Sequence, residues 1–173
     1  MATPQRAIFN GMGQNQWYVH LSRTEGADLN VIKPALNDLR AACAADEINL
    51  TLGFGPGLLP ELTDDVPEDF QAYQTVESDD GSGRQAKGTQ EELLLWLNHD
   101  DKDKVWKAQY EARSALEGHM AVARETPTFI YGDSWDMTGF KDGTGNPADE
   151  AVSYTHLRAH ETGRNLVCRL LLE

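Results

Sequence analysis

The chain of 173 residues carries 28 Asp and Glu against 15 Lys and Arg, a formal charge of −13. That balance repels phosphate backbones and anionic lipid surfaces, so neither nucleic acid nor a membrane is an expected partner. Cys43 and Cys168 form no CxxC pair, no apolar run reaches about 18 residues, and the N-terminus has no basic region followed by an apolar core. These features predict one domain-sized, intracellular, cytoplasmic protein without a zinc site or a disulfide framework.

Trp17, Val19 and Leu21 alternate with Tyr18, His20 and Ser22, which predicts a half-buried first strand over 16–22. Leu29, Ile32, Leu36, Leu39 and Cys43 then recur at steps of three and four, the stripe of an amphipathic helix. Pro34 has no N–H to donate, so regular helix is expected only from about Lys33. Ile48, Leu50, Leu52 and Phe54 mark a second strand that runs into the breaker Gly55-Pro56-Gly57. From about Pro60 to Gly88 the sequence is polar and rich in Asp, Gly and Ser, and is expected to be a long surface connection.

The compact run ELLLWLN, 92–98, is apolar on both faces and predicts a central third strand. Asp101 is placed to cap a second helix whose buried stripe is Val105, Ala108, Ala112, Ala115, Leu116 and Met120, with Gly118 at its fraying end. A fourth strand follows as two pieces, 121–124 and 128–131, broken by Pro127. The order β-α-β-β-α-β predicts an α+β, ferredoxin-like split βαβ fold. With both helices on one face of the sheet, the other face needs a cover: a second copy, a partner or a cofactor.

The segment GFKDGTGNP, 139–147, concentrates Gly139, Gly143, Gly145 and Pro147 around a single carboxylate, Asp142. The glycines permit positive φ or close backbone approach, and Asn146-Pro147 ends any regular element. Asp142, Thr144 and Asn146 also share the opening spacing of a calcium loop, but the twelfth position is Ser153 rather than Glu.

After Glu150 the text changes character. Back-translated, VSYTHLRAHET resembles the transposase end and adapter of a sequencing library, LVCRLLLE resembles the adapter's far end, and Gly163–Asn165 falls where a sample index lies. Residues 152–173 are therefore expected to be a non-native, adapter-derived tail on a chain interrupted near Ala151. On that reading the His156 and His160 pair, at metal-ligand spacing, carries no information, and nor does Cys168. The remaining histidines, His20, His99 and His119, have no partner at ligand spacing.

GFKDGTGNP resembles the GxxDG motif of the dye-decolorizing (DyP-type) peroxidases in its extended form, with Gly139, Phe140, Asp142, Gly143, Thr144, Asn146 and Pro147 matching. The resemblance extends over 7–150 through the strand order, Gly53-Phe54-Gly55 and the ELLLWL run. It implies that residues 1–151 form the N-terminal half of a DyP-type, dimeric α/β-barrel fold in which two ferredoxin-like halves enclose haem b. It further implies that Asp142 is the distal acid-base in H2O2 cleavage, and that Gly139, Phe140, Gly143, Thr144 and Asn146 contact the haem. Hydrogen peroxide and an organic reductant are the implied partners, with homo-oligomerisation of the full-length protein.

Gly145 stands where one subgroup carries Glu and Lys141 matches another, which leaves the subgroup open. The proximal His and distal Arg of the family fall downstream of the motif, so the iron has no metal ligand in this chain. Trp17, Trp96, Trp106, Trp135 and Tyr131 could pass electrons to bulky substrates, although core packing accounts for Trp17 and Trp96. The alternative is a non-catalytic ferredoxin-like module that dimerises through its open sheet face.

Overall fold

The structure, a computed structural model, describes residues 5–135. After a 3-10 turn at Arg6–Ile8, the chain forms β1 (Asn15–Arg23), α1 (Leu29–Ala45) and β2 (Asn49–Phe54). A short α2 (Leu59–Leu62) and a small hairpin, β3 (Val76–Glu77) with β4 (Gln85–Ala86), precede β5 (Leu93–His99), α3 (Lys102–Ala115) and β6 (Met120–Phe129).

β2, β5, β1 and β6 lie side by side in that order, every neighbouring pair antiparallel. Each helix thus connects two strands separated by one other, which is the split βαβ arrangement. The fold is α+β and ferredoxin-like, as the sequence pattern requires.

Register explains which side chains meet the helices. Val19 opposes Leu95 and Leu95 opposes Leu52, while Leu21, Leu93 and Phe54 form the next row. These residues face Ile32, Leu36, Leu39 and Cys43 of α1 and Val105, Ala108 and Ala112 of α3, and together make the core. Leu93, Leu95 and Leu97 are at most 1 % exposed. Truncating one of them to Ala would cost about 2–5 kcal/mol, the lost transfer free energy plus a cavity.

Four details differ from the sequence expectation. α1 starts at Leu29 and contains Pro34. The Asp28 carboxylate accepts the Asn30 N–H at 2.8 Å, and burial of Ile32 and Leu36 holds the first turns although Pro34 cannot bond back to Asn30. At the far end of α3 the stripe is shorter than expected: Ala115 is exposed and Met120 belongs to β6, because Gly118 turns the chain at φ 82°. Gln109 is buried in place of an apolar residue and accepts from Arg113 at 3.4 Å.

The fourth difference is that β6 is continuous through Pro127. Ile130 N donates to Gln14 O at 2.9 Å, so by alternation the nitrogen of residue 127 points away from β1, where no donor is needed. Pro127 also withholds an edge N–H from other strands. The irregularity lies instead at Ala123, which has no partner between the His20–Arg124 and Leu21–Val122 pairs, a β-bulge.

Residues 63–92 run mostly over the surface, and the β3–β4 hairpin exposes its side chains. Asp80 closes the hairpin tip by accepting from Ser78 Oγ and Ser82 N and by pairing with Arg84, which holds its carboxyl well below the usual range. No described helix is long and apolar enough to cross a membrane.

Candidate functional site

The sheet face away from α1 and α3 is built from alternate residues of the four strands. β1 contributes Gln16, Tyr18, His20 and Ser22. β5 adds Leu94, Trp96 and Asn98 opposite them, β2 adds Asn49, Thr51 and Gly53, and β6 adds Arg124, Thr126 and Thr128. Trp96 therefore lies on this open face rather than in the core, contrary to the sequence expectation. Trp17 packs on the core side, with its Nε1 donating to Glu125 Oε1 at 2.8 Å.

The face is not the apolar surface that the run ELLLWLN suggested. Leu93, Leu95 and Leu97 are spent under the helices, and only Leu94 and Trp96 turn outward, both half-buried. Tyr18 and Trp96 stack with centroids 5.5 Å apart and planes 16° apart. Gln16, 8 % exposed, accepts from the Tyr18 hydroxyl at 3.0 Å and from Trp96 Nε1 at 3.2 Å. Partial burial raises the Tyr18 phenol above its ordinary pKa.

The β2 side of the face is bound to the N-terminal segment. Gln5 uses one side-chain amide to donate to Leu52 O and accept from Leu52 N, at 2.8 and 2.9 Å, which mimics a strand on the open edge. Asn98 Oδ1 accepts from Gly13 N and from Asn49 Nδ2. A Cβ on Gly13 would stand 2.5 Å from the His99 backbone, so only glycine allows this approach. Thr51 Oγ1 is buried without a hydrogen-bond partner among the described residues.

At the opposite side, Arg124 Nη2 reaches His20 Nε2 at 3.1 Å and Nδ1 at 3.5 Å. Burial, then the Arg124 charge, lower the His20 pKa, and the Glu91 carboxylate opposes them. Glu91 in turn accepts from Ser22 Oγ.

Two of the three described histidines spend the Nδ1 lone pair on a backbone N–H. His99 Nδ1 accepts from Asp101 N at 2.8 Å and His119 Nδ1 from Asp28 N at 3.0 Å, which fixes the proton on Nε2. No group of three or more His, Cys, Asp or Glu that could hold a metal ion occurs among the described residues. A cleft of about 210 Å³ between α1 and α3, floored by Cys43 and flanked by Lys104, Lys107 and Glu111, lies on the far side of the sheet.

The motif residues Gly139, Phe140, Asp142, Gly143, Thr144 and Asn146 lie outside the described residues, as do His156, His160 and Cys168. The last described segment leaves the sheet at the end where Asn15 opposes both His99 and Phe129. There Tyr131 and Trp135 form an isolated bridge, both about half exposed, around Gly132 and Ser134 at positive φ. The exposed pair Trp106 and Tyr110 stacks on the outer flank of α3, 5.3 Å between centroids. Sequence reading did not find this pair, although the i, i+4 spacing of two aromatics on a helix is a visible signal.

No protein-family model and no curated protein sequence matches the chain. Solved structures do. A dye-decolorizing protein from V. cholerae superposes with a TM-score of 0.73 at 23 % identity, over 85 % of this chain and 50 % of that one. A putative DyP-type peroxidase from Shewanella oneidensis gives 0.73 at 19 %, over 89 % and 52 %, and DyPB from Rhodococcus jostii RHA1 gives 0.69 at 21 %, over 88 % and 50 %. The chain thus spans about half the length of the structures it matches, and its fold is that of one half of a dye-decolorizing peroxidase.

Proposed function

We propose that this chain is the N-terminal half of a haem-dependent peroxidase of the DyP type, acting in the cytoplasm on H2O2 and an organic reductant. The observation that carries the proposal is a coincidence of two independent features. The extended motif GFKDGTGNP follows β6 in a chain whose β2-β5-β1-β6 sheet matches half of such enzymes. The R. jostii DypB R244L variant was solved in complex with heme.

The described residues do not by themselves fit a haem. His99 and His119 carry their free proton on Nε2, the wrong tautomer for an iron ligand, and His20 is engaged with Arg124. In this reading the iron ligand belongs to the other half of the enzyme, and the described half contributes the sheet that precedes the motif.

Asp142 is the proton carrier. Its carboxylate would take a proton from one oxygen of H2O2 and return it to the other so that water can leave. Haem, when bound, would take up the remaining oxygen and supply the two electrons, which the organic reductant later replaces. Being glycine, positions 139, 143 and 145 bring no side chain between the backbone and a flat macrocycle.

The test is the intact genomic reading frame through codon 150, expressed as protein. It is expected to continue for about as many residues again and to give a haem-loaded protein. There Asp142→Ala should keep the haem absorption band and slow peroxide cleavage by roughly 100- to 10,000-fold. A frame that stops near Ala151 would overturn the half-enzyme reading, whereas an unchanged rate in the variant would overturn only the role of Asp142.

A further inference from the structure

We propose that His20 and Arg124 form a proton-operated latch, which holds the bulged edge strand β6 against β1 and releases it when His20 is protonated. The inference concerns the described half alone and does not rest on the peroxidase reading.

The latch sits where the ladder is weakest. Among the described residues β6 is an edge strand, almost wholly exposed from Ala121 to Pro127, and its pairing with β1 slips between His20 and Leu21, leaving Ala123 without a partner. A bulge interrupts the ladder there, so side-chain contacts across it carry more of the attachment. On the open face the one cross-strand pair beside the slip is His20 with Arg124. On the helix face Glu125 accepts from Trp17 and pairs with Arg113 at 2.9 Å, but no imidazole lies in that contact.

The chemistry of the pair is one-directional. Arg124 can only donate, and it remains charged throughout the physiological range. Nη2 lies near both ring nitrogens, 3.1 Å from Nε2 and 3.5 Å from Nδ1, so the guanidinium rests over the face of the imidazole, where a neutral ring attracts it. Protonated imidazole places a second positive charge 3.1 Å from the guanidinium. The other charged group acting on His20 is Glu91, ahead of β5, whose carboxylate is held by Ser22. β5 places uncharged Leu94 directly opposite His20. Glu91 softens the repulsion, but protonation of His20 still turns attraction to a neutral ring into repulsion between two cations, which frees Arg124.

The sign follows. His20 titrates below 6.5 in the folded chain because burial and Arg124 disfavour its cation. Its contribution to β6 attachment is complete above 6.5 and is lost as pH falls through the lower, folded value.

The experiment is amide hydrogen exchange by NMR on the chain, expressed as protection factors so that intrinsic pH effects cancel, together with the His20 ring shifts. Protection of Arg124 and Thr126 should fall about three- to tenfold between pH 7 and pH 5, while that of the β5 amides stays constant. In His20→Gln, whose side chain is polar, uncharged and does not titrate, the β6 protection should be flat. In Arg124→Gln the His20 titration should move up toward 6.5. The latch is refuted if His20→Gln shows the same decline as the parent, if the parent is flat, or if His20 titrates at or above 6.5 in the presence of Arg124.

Discussion

Gln16 holds Trp96 in place on the open face: a single amide oxygen accepts from the indole Nε1 at 3.2 Å and from the Tyr18 hydroxyl at 3.0 Å. The side chain spans β1 and β5 and ties two stacked rings to the sheet beneath them. Gln16→Leu keeps the volume and removes the acceptor, leaving two partly buried donors unpaired. The expected loss is about 1–2 kcal/mol, read as a lower urea midpoint with an unchanged slope. A change below about 0.3 kcal/mol would mean that water replaces the amide without cost.

Much of this architecture was legible in the sequence, and the failures share a cause. Period-two alternation in 16–22 and 48–54 assigns the correct side chains to the core because each of those strands has one face under helices. ELLLWLN resists the same treatment. Its leucines occupy both faces, so only register against Val19 and Leu52 shows that Leu95 is core and that Trp96 is not. Pro34 and Pro127 were read as breaks because local chemistry was weighed without its setting. Asp28 capping and core burial retain the first turns of α1, and the outward-pointing nitrogen at 127 makes proline harmless at that edge.

Asp142 was found through motif chemistry alone, and its site lies outside the described residues. The His20–Arg124 pair and the Gln16 bridge join positions 104 and 80 residues apart in sequence, which no local pattern can bring together.

α1 ends in a Schellman turn that uses the wrong residue. Ile48 N donates to Cys43 O at 2.8 Å, which places Glu47 at φ 58°, a conformation natural to glycine. Glu47→Gly removes the steric cost of about 1 kcal/mol and should raise the urea midpoint accordingly. A lower midpoint would show that the added freedom of glycine in the unfolded chain outweighs the relief.

The Cys43 thiol is pushed up to about 12, chiefly by burial and further by the Asp46 and Glu111 carboxylates. It should ignore thiol reagents at pH 8 in folded protein and react once urea unfolds the chain, measured in a Cys168→Ser background. Its raised pKa gives a stabilising contribution that is complete below about 9.0 and fades as pH rises toward 12. The stability difference between this protein and its Cys43→Ala variant should therefore shrink by about 1.4 kcal/mol per pH unit above that point. A difference that stays constant from pH 8 to 10.5 would mean that the thiol ionises normally.

Haem added to the 173-residue chain should bind without a defined axial ligand. Nδ1 of His99 and of His119 each accepts a backbone N–H, so Nε2 carries the proton and has no lone pair to offer iron. Freeing it costs the hydrogen bond that positions Asp101, whose own carboxylate caps α3, or the one that positions Asp28, which caps α1. His20 would have to displace Arg124. His156 lies in the segment read as an adapter-derived tail, and the resemblance assigns the iron ligand to the second half of the enzyme. Titration should give broad spectra and no turnover of H2O2 above that of free haem, unchanged by His→Ala substitution at 20, 99, 119 or 156. A sharp Soret band abolished by any one of these substitutions would reveal an axial ligand in this half and overturn the assignment of the iron ligand to the other.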